Sequence, residues 1–491
     1  MPRDADASGE TPGQRLYNCS CWVETDCSAL VSIIYAPLRP ILKEDVLMKK
    51  QCFKVAVVLG FLCVLPVTVV AENQVVIEPE NRVVIEPLIY ADEIDVANAN
   101  LNLTAKATNR LEPTLSFAYR TDSNFYRVDD DFEKLRVDTY LVQPGLRFGY
   151  RTGKTLVDLG YSLNIYSYDD RDDRPAGHRN ADDLDYTGHT LRLNAETRPT
   201  AKINLGLKEY FVRTRDQSEA DHTTGLVGIQ EKYNYNQIEP WLAYRFSERF
   251  SSRLAYRHTA VNYDKVNPED ATENRGLFDF RYHLSPRDSI AVDYSIWNRD
   301  HDEGIADYTS NVIGLVYRRN AKFLYGELGV GYHHRDFEES GRDSESTPAF
   351  RLAVTAQSSG LDESGRPKTY ATLALNKDFN SSGTSSNFLE TREVSLRAGH
   401  TFMDRILLDM EGYYRMNEYE DAAGLTPDGS VEDRDDDRMG VVGSLGYRLG
   451  RWFVLSVRGG YESRDSNLAA YDYDNTYVMA RLDSSYDFNL K

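Results

Sequence analysis

The chain has 491 residues and a formal charge of −20, with 57 Lys and Arg against 77 Asp and Glu. Such an acidic balance argues against a nucleic-acid binder, which needs a basic face for phosphates. A mean hydropathy of −0.54 excludes a bundle of transmembrane helices, since each span needs about 20 mostly apolar residues.

The one long apolar run, residues 53–70, lies in MKKQCFKVAVVLGFLCVLPVTVVAENQ, which begins at Met48. Lys49, Lys50 and Lys54 form a positive n-region and residues 55–70 an apolar h-region. Val69-Val70-Ala71 then places small or modest side chains before a cleavage between Ala71 and Glu72. This is the layout of a secretory signal peptide (48–71); the alternative is a membrane anchor carrying a soluble ectodomain. The expectation is that residues 1–47 are an upstream extension from an over-long gene start. Cys19, Cys21, Cys27, Cys52 and Cys63 all precede the cleavage point. The mature chain therefore offers no disulfide framework, thiolate metal site or cysteine nucleophile.

A tandem octamer follows, ENQVVIEP (72–79) and ENRVVIEP (80–87), inside an N-terminal periplasmic segment, 72–110. Its β-branched residues favour extended backbone and each Pro stops sheet pairing. It reads equally as a tether, a lumen-lining segment or a neutral duplication.

From residue 111 to 488 the dominant signal has period two. In VQPGLRFGY, Val142, Pro144, Leu146, Phe148 and Tyr150 share a face opposite Arg147. In RWFVLSVRGGYE, Phe453, Leu455, Val457, Gly459 and Tyr461 oppose Ser456, Arg458 and Glu462. In YVMARLDSSYDF, Val478, Ala480, Leu482, Tyr486 and Phe488 oppose Arg481 and Asp483. Similar segments recur at 157–165, 189–195, 238–246, 252–260, 276–284, 290–296, 308–316, 324–332, 350–356, 369–375, 394–400, 406–414 and 439–447. Alternation over that length means half-buried strands rather than helices. Tight turns at Thr152-Gly153, Arg198-Pro199, Ser247-Glu248, Pro286-Arg287, Asn320-Ala321, Met403-Asp404 and Leu449-Gly450 alternate with long polar loops such as 168–185 and 417–438. Together with a longer turn at 359–366, the connections imply about 18 strands (16–18).

A soluble sandwich also alternates. Strands near the ~10 residues needed to cross a bilayer, connections short on one side and long on the other, and 33 tyrosines recurring at strand ends favour a membrane barrel. The fold class read here is all-β: a transmembrane antiparallel up-and-down β-barrel with short periplasmic turns and long acidic extracellular loops. Closure follows because hydrocarbon leaves an open sheet edge unsatisfied. Alternation then turns Arg147, Arg192, Arg257, Arg281, Arg397, Arg415, Arg458, Arg481, Asp279, Asp409 and Asp483 inward, as a water-filled lumen lining and candidate substrate contacts.

LEPTLSFAYRTDSN (111–124) and LSVRGGYESRDSNLAAYDYDNTYVMARLDSSYDF (455–488) resemble the beta-barrel porins encoded in exopolysaccharide and capsule operons. The likeness lies in Pro113-Thr114-Leu115 opening the first strand and in Tyr461, Arg464, Asp465, Ser466 and Asn467 closing the penultimate one. Tyr471, Tyr473, Asp474 and Asn475 lead into the last. The first strand closes on Tyr119, Asp122, Ser123 and Asn124, so the two phrases are expected together at the barrel seam on the long-loop rim. The resemblance implies an outer-membrane channel of a Gram-negative cell for outward passage of polysaccharide. Such barrels usually end on an aromatic residue read by the assembly machinery; here Asn489-Leu490-Lys491 follow Phe488 as a tail.

Other polar clusters are weaker. In GYHHRDFEES, His333, His334, Asp336, Glu338 and Glu339 could suggest a metal, but adjacent histidines on a strand face opposite ways, and a solvated loop start is expected. Asp169 to Arg174 and Asp433 to Arg438 could suggest Ca²⁺, but lack EF-hand spacing and read as salt-bridged surface loops. His189, His222, His258, His283, His301 and His400 are scattered with no nucleophile motif, and no phosphate loop or zinc spacing occurs. No enzyme activity, metal or cofactor is expected. The expected partners are outer-membrane lipid, lipopolysaccharide and the barrel assembly machinery, together with polysaccharide and periplasmic export components. A general diffusion or nutrient-uptake porin is the alternative function, and a structural or adhesin barrel a third.

Overall fold

The computed structural model describes residues 109–490 except 130–132, 153, 174–179, 216–230, 266–269, 303–305, 339–341, 362–366, 382–387, 420–423, 426–430 and 469–470. The expected extension, signal peptide, cleavage at Ala71 and Glu72, and octamer repeat lie outside the described residues.

Eighteen long antiparallel strands form one closed barrel. They are β1 (Asn109–Asp122), β2 (Val137–Arg151), β3 (Thr155–Asp170), β4 (Tyr186–Thr197), β5 (Ile203–Thr214) and β6 (Tyr233–Arg245), then β7 (Phe250–Tyr263), β8 (Ala271–His283), β9 (Asp288–His301), β10 (Tyr308–Asn320), β11 (Leu324–Phe337) and β12 (Glu345–Gln357). The last six are β13 (Thr369–Ser381), β14 (Phe388–Phe402), β15 (Ile406–Tyr419), β16 (Asp435–Leu449), β17 (Phe453–Ser466) and β18 (Tyr473–Ser485). Each pairs with its sequence neighbours, and β18 returns to β1 with Thr114 opposite Ser485 and Asp122 opposite Tyr477. A three-residue strand, Phe488–Leu490, continues the seam along Asn109–Leu111. Asn489 and Leu490 thus extend the ladder where a bare tail was expected, and β1 begins two residues before 111.

β5 is the strand that alternation did not reveal. Its register sets Lys208 against Glu239 on the lumen side, which turns Leu205, Glu209 and Arg213 outward and Gly206, Tyr210 and Val212 inward. Apolar and polar residues thus change sides halfway along, so no clean period two remains. Several strands also run past the apolar band. β3 reaches Asp170 and β16 starts at Asp435, inside what composition alone assigns to loops.

The outward face shows why the barrel needs a bilayer. Leu115, Leu146, Leu254, Leu315, Val330, Leu445, Val457 and Val478 are all exposed large hydrophobics. Above them sit exposed Tyr119, Tyr140, Tyr161, Tyr256, Tyr294, Tyr332 and Tyr461; below sit Tyr150, Phe250, Phe280, Phe402, Trp452, Phe453, Tyr486 and Phe488. On β17 these girdles are marked by Phe453 and Tyr461, which at ~3.3 Å per residue and ~40° tilt stand about 20 Å apart along the membrane normal. That is close to the apolar band height of outer-membrane barrels.

Prolines mark where the ladder breaks. Pro113 lies between the two pairing stretches of β1 with the C-terminal strands. Pro144 lies in the gap between β2 and β3, and Pro240 in the gap between β6 and β7. Pro348 lies above Phe350–Lys377, where pairing of β12 with β13 stops. A residue without an N–H cannot serve the ladder on one side, so the sheet opens locally beside each. The periplasmic turns include Met403-Asp404, both with positive φ (50° and 58°), and Gly450 at φ 79°. The first forms a tight turn closed by Arg405 N donating to Phe402 O at 3.0 Å, with two left-handed residues at its centre.

Candidate functional site

The lumen wall is built by the inward positions of the strands. All eleven charged residues assigned to it from alternation lie on the inward face, but they spread around the wall in four sectors. At the seam, Asp483 accepts hydrogen bonds from Ser116 Oγ at 2.6 Å and Arg481 Nε at 2.7 Å. Arg481 Nη2 donates to Gln143 at 2.9 Å, and Arg147 lies 3.9 Å from Glu112. Across β13–β15, Tyr370 donates to Asp409, Arg397 lies opposite Glu411 in register, and Arg415 Nε donates to Glu393 at 2.7 Å. Arg458 faces inward on β17 opposite Ser444.

The third sector holds Asp279 and Arg281, 3.0 Å apart. Its centre is Arg318, unremarked in the sequence, which reaches Asp279 and Asp293 at 2.9 Å and Glu327 at 2.8 Å. Arg351 adds contacts to Asp293 at 3.4 Å and to Glu327 at 2.5 Å. Cations and carboxylates balance here, as a buried ionic group requires.

The fourth sector centres on Glu239. On β5–β7, Glu239 is almost wholly buried (2% exposed) and takes Arg253 Nη2 at 2.7 Å on one oxygen. Its other oxygen takes Arg257 Nη2 at 2.5 Å and Nε at 2.8 Å. Lys208 lies opposite Glu239 in register. Trp241 is inward as well, its ring lying over Gly206, where a Cβ would stand 2.2 Å from it. The Arg253 guanidinium lies 5.1 Å from the Trp241 ring centroid, and Arg192 lies 5.0 Å from that of Tyr210. Of this group alternation identified only Arg192 and Arg257. Glu239 and Arg253 lie in the alternating segments 238–246 and 252–260, and its parity with Arg257 was the cue for Arg253; Lys208 needed the pairing of β5 with β6.

At the long-loop end the inward side chains are buried. Val137, Tyr168, Leu184 and Tyr186 pack together beneath the loop after β3, and Val212, Tyr233, Tyr235, Val261 and Tyr263 pack together on β5–β7. Arg335 lies 4.0 Å from the Tyr308 ring centroid, and Arg434 lies between Tyr419 and Tyr471 at 4.2 and 3.6 Å. Strand-end tyrosines therefore divide: one set forms the outer girdle, as expected, and another turns inward to make a collar.

Two loop expectations are corrected here. His333 belongs to β11 and is buried, with Nδ1 2.5 Å from Asp378 Oδ1, while His334 faces the other way toward Ser346. Neither starts a solvated loop. Arg434, Asp436 and Arg438 are salt-bridged but fully buried, because β16 continues through residues 435–438. Outside the membrane band, on the loop after β3, the Arg136 guanidinium holds the Asp172 carboxyl down at about 2. Among the described residues, no group of three or more His, Cys, Asp or Glu is placed to hold a metal.

The repeated Asp-Ser-Asn phrases do a common job. Asn124 Nδ2 donates to Val128 O at 2.7 Å and to Asp474 O at 2.9 Å, tying β1 to β18 across the seam. Asn467 Nδ2 donates to Asp433 O at 2.7 Å and its Oδ1 accepts from Asp435 N, tying β17 to its upstream neighbour β16. Asn475 completes the seam, donating to Asp122 at 2.9 Å and accepting from the Asn124 N–H at 3.0 Å. Tyr473 donates to Glu462, Lys134 pairs with Asp474, and Ser466 N donates to Asp472. Ser123 Oγ accepts from Thr476 N, and Arg464 Nε donates to Tyr471 O at 2.5 Å. Asp465 faces outward beside Asp437 in register.

Residues 280–486 match the family described as Putative beta-barrel porin 2. The chain forms an outer-membrane β-barrel, a porin-like channel. The matched region includes most of the closing phrase at 455–488 but not the opening phrase at 111–124. No curated protein matches the chain. Among solved structures it is similar to OccAB4 of Acinetobacter baumannii, with 11% identity over 78% of this chain and 98% of that one, at a TM-score of 0.41. It is also similar to OpdK of Pseudomonas aeruginosa with vanillate (14%, 77% and 99%, 0.40) and to OccAB3 of A. baumannii (11%, 77% and 99%, 0.41).

Proposed function

We propose that this barrel passes a hydroxyl-rich polymer, an exopolysaccharide or capsular polysaccharide, across the outer membrane of a Gram-negative cell without covalent chemistry. The observation that carries this reading is the lumen wall. Paired arginines and carboxylates alternate around it with inward Trp241, Tyr210 and Tyr370, so a chain of sugar rings meets both hydrogen-bonding groups and flat aromatic faces. The likeness to porins of polysaccharide operons supports the same direction. Lipopolysaccharide around the tyrosine girdle, the assembly machinery acting on the C-terminal strand, and a periplasmic export component at the short-turn rim are the partners this role requires.

A second reading is uptake of small hydrophilic solutes. It is supported by the inward tyrosines and arginines at the long-loop end, polar groups that a small hydrophilic solute meets as readily as a polymer does. Deleting the gene separates the two. Loss of cell-surface polymer with unchanged solute uptake is the expected result; unchanged surface polymer with reduced uptake would overturn polymer export in favour of the second reading.

A further inference from the structure

We infer that the short-turn rim of β6–β11 is a lipid-facing binding site for anionic phospholipid headgroups, formed by Arg249, Arg287, Arg319 and Lys322 beside an aromatic ledge. The site lies on the outer wall of the barrel and is independent of what the lumen carries.

The segments 245–249, 284–288 and 319–323, at the three short turns, carry five cations. Arg245, Arg249, Arg287, Arg319 and Lys322 are all exposed, and they stand against two carboxylates, Glu248 and Asp288. Backbone hydrogen bonds from His283 N to Arg249 O at 2.8 Å and from Asn320 N to Arg287 O at 2.7 Å hold the turns side by side. Asp288 is already engaged: Ser285 Oγ and Tyr317 Oη donate to it at 2.7 Å, and Arg319 Nη1 lies 3.3 Å away. Of the five cations only Arg319 belongs to an ion pair among the described residues, and its side chain is still 49% exposed. In a chain of net charge −20 this rim is a local reversal of sign, complementary to an anionic surface.

These cations stand on the lipid side of the wall. Tyr244, Phe246, Phe280, Phe250 and Tyr282 form a chain of outward rings, with successive centroids 4.8, 6.3, 5.9 and 5.0 Å apart. Arg249 Nη1 donates to the Tyr282 hydroxyl at 3.3 Å, at the turn end of that chain. Lys322 Nζ lies 5.0 Å from the ring centroid of Phe323, which is itself exposed. Arg319 shares the outward face of β10 with Leu315 and Tyr317. An acyl chain and glycerol lie along such a ledge while the phosphate meets guanidinium groups, whose paired N–H donors match its oxygens.

The opposite rim of the same strands has a different chemistry. Its outward positions include Asn234, Asn262, Asn274, Asn298 and Asn311, and no Lys or Arg of β6–β11 faces outward there. The cations therefore mark a single leaflet, the one at the short turns, which face the periplasm in outer-membrane barrels.

The test is photo-cross-linking of the purified barrel in phosphatidylcholine vesicles holding a small, equal fraction of diazirine-bearing phosphatidylglycerol or phosphatidylcholine, with labelled peptides mapped by mass spectrometry. Phosphatidylglycerol is expected to label peptides spanning 244–250, 280–288 and 317–324 at least about fivefold more than phosphatidylcholine, and high salt to reduce the preference. Peptides from the long-loop rim are expected to show no preference. Arg249→Gln, Arg287→Gln, Arg319→Gln and Lys322→Gln combined, checked for folding by heat-modifiable gel mobility, are expected to abolish it. Arg136→Gln with Arg171→Gln, at exposed cations of the opposite rim, is expected to keep it. Equal labelling by the two lipids in the unaltered barrel overturns the site. So does labelling that is equal for the two yet blocked by added polyglutamate, which would assign the rim to an acidic protein. A preference that survives the fourfold substitution, or that both rims share, overturns it as well. Should the fourfold variant fail to fold, the comparison of the two lipids on the unaltered barrel decides alone.

Discussion

Trp241 occupies the space above Gly206: a Cβ at position 206 would stand 2.2 Å from the indole ring. The pair lies directly across the β5–β6 ladder, and the indole in turn carries the Arg253 guanidinium. One missing methyl thus lets the Trp241 indole lie flat against the wall.

Gly206→Ala is therefore expected to destabilise the barrel by about 1–3 kcal/mol, the range for overpacking a filled site. It should also displace Trp241, visible as a change in intrinsic fluorescence. Gly160→Ala, where a Cβ meets nothing within 4 Å, should be neutral within about 0.5 kcal/mol. Reversible unfolding in guanidinium with lipid vesicles measures both.

The seam offers a second prediction. Asn124 is fully buried and its side chain makes three hydrogen bonds, to Val128 N, Val128 O and Asp474 O. Asn124→Ala leaves those groups unpaired, at about 1–3 kcal/mol for a buried group. Asn467→Ala cuts equivalent bonds in a solvent-exposed setting and should cost clearly less. Equal losses at the two sites would show that the seam is no more demanding than any other strand pair.

The lipid face predicts a depth dependence. Val457 is exposed in the apolar band and Tyr461 in the upper girdle of the same strand. Val457→Arg should cost about 2–4 kcal/mol and Tyr461→Arg about 0–1 kcal/mol, by the same unfolding assay. The reverse order would place the band elsewhere along β17.

A fourth prediction concerns acid. Asp172 hydrogen-bonds Arg136, which holds its carboxyl at about 2, below the ordinary aspartate value of ~3.9. A lowered acid pKa adds stability that is present above the unfolded value and is lost as pH falls through the folded one. The stability difference between the unaltered barrel and Asp172→Asn should hold steady above about pH 5 and shrink from about pH 4 toward 2. High salt should reduce it at every pH, because the Arg136 side chain is 54% exposed and such pairs are screened.

Much of this was legible in the residues. Period two, turns such as Met403-Asp404 and the outward tyrosines each follow from one strand's own pattern, because a pleated strand sends neighbours to opposite faces whatever lies beside it. The eleven inward charges follow for the same reason. What did not follow were properties belonging to two or more strands at once. β5 escaped because its alternation reverses at Lys208, and with it went Lys208 and its place beside Glu239. Arg318 escaped because its three carboxylates come from β8, β9 and β11, far apart in sequence. His333 and Arg434 read as loop residues because charge marks solvent in a sequence, whereas in the barrel mouth neighbouring rings and carboxylates take the place of water.

By itself, then, the sequence determined strand, face and membrane, since those depend on local alternation and on the need to satisfy every backbone polar group in hydrocarbon. The tertiary structure alone decided which charges share a sector. It also decided which strand-end tyrosines turn inward. Those outcomes depend on register and closure, which bring Lys208, Glu239 and Arg253 onto one patch of wall that no single strand encodes.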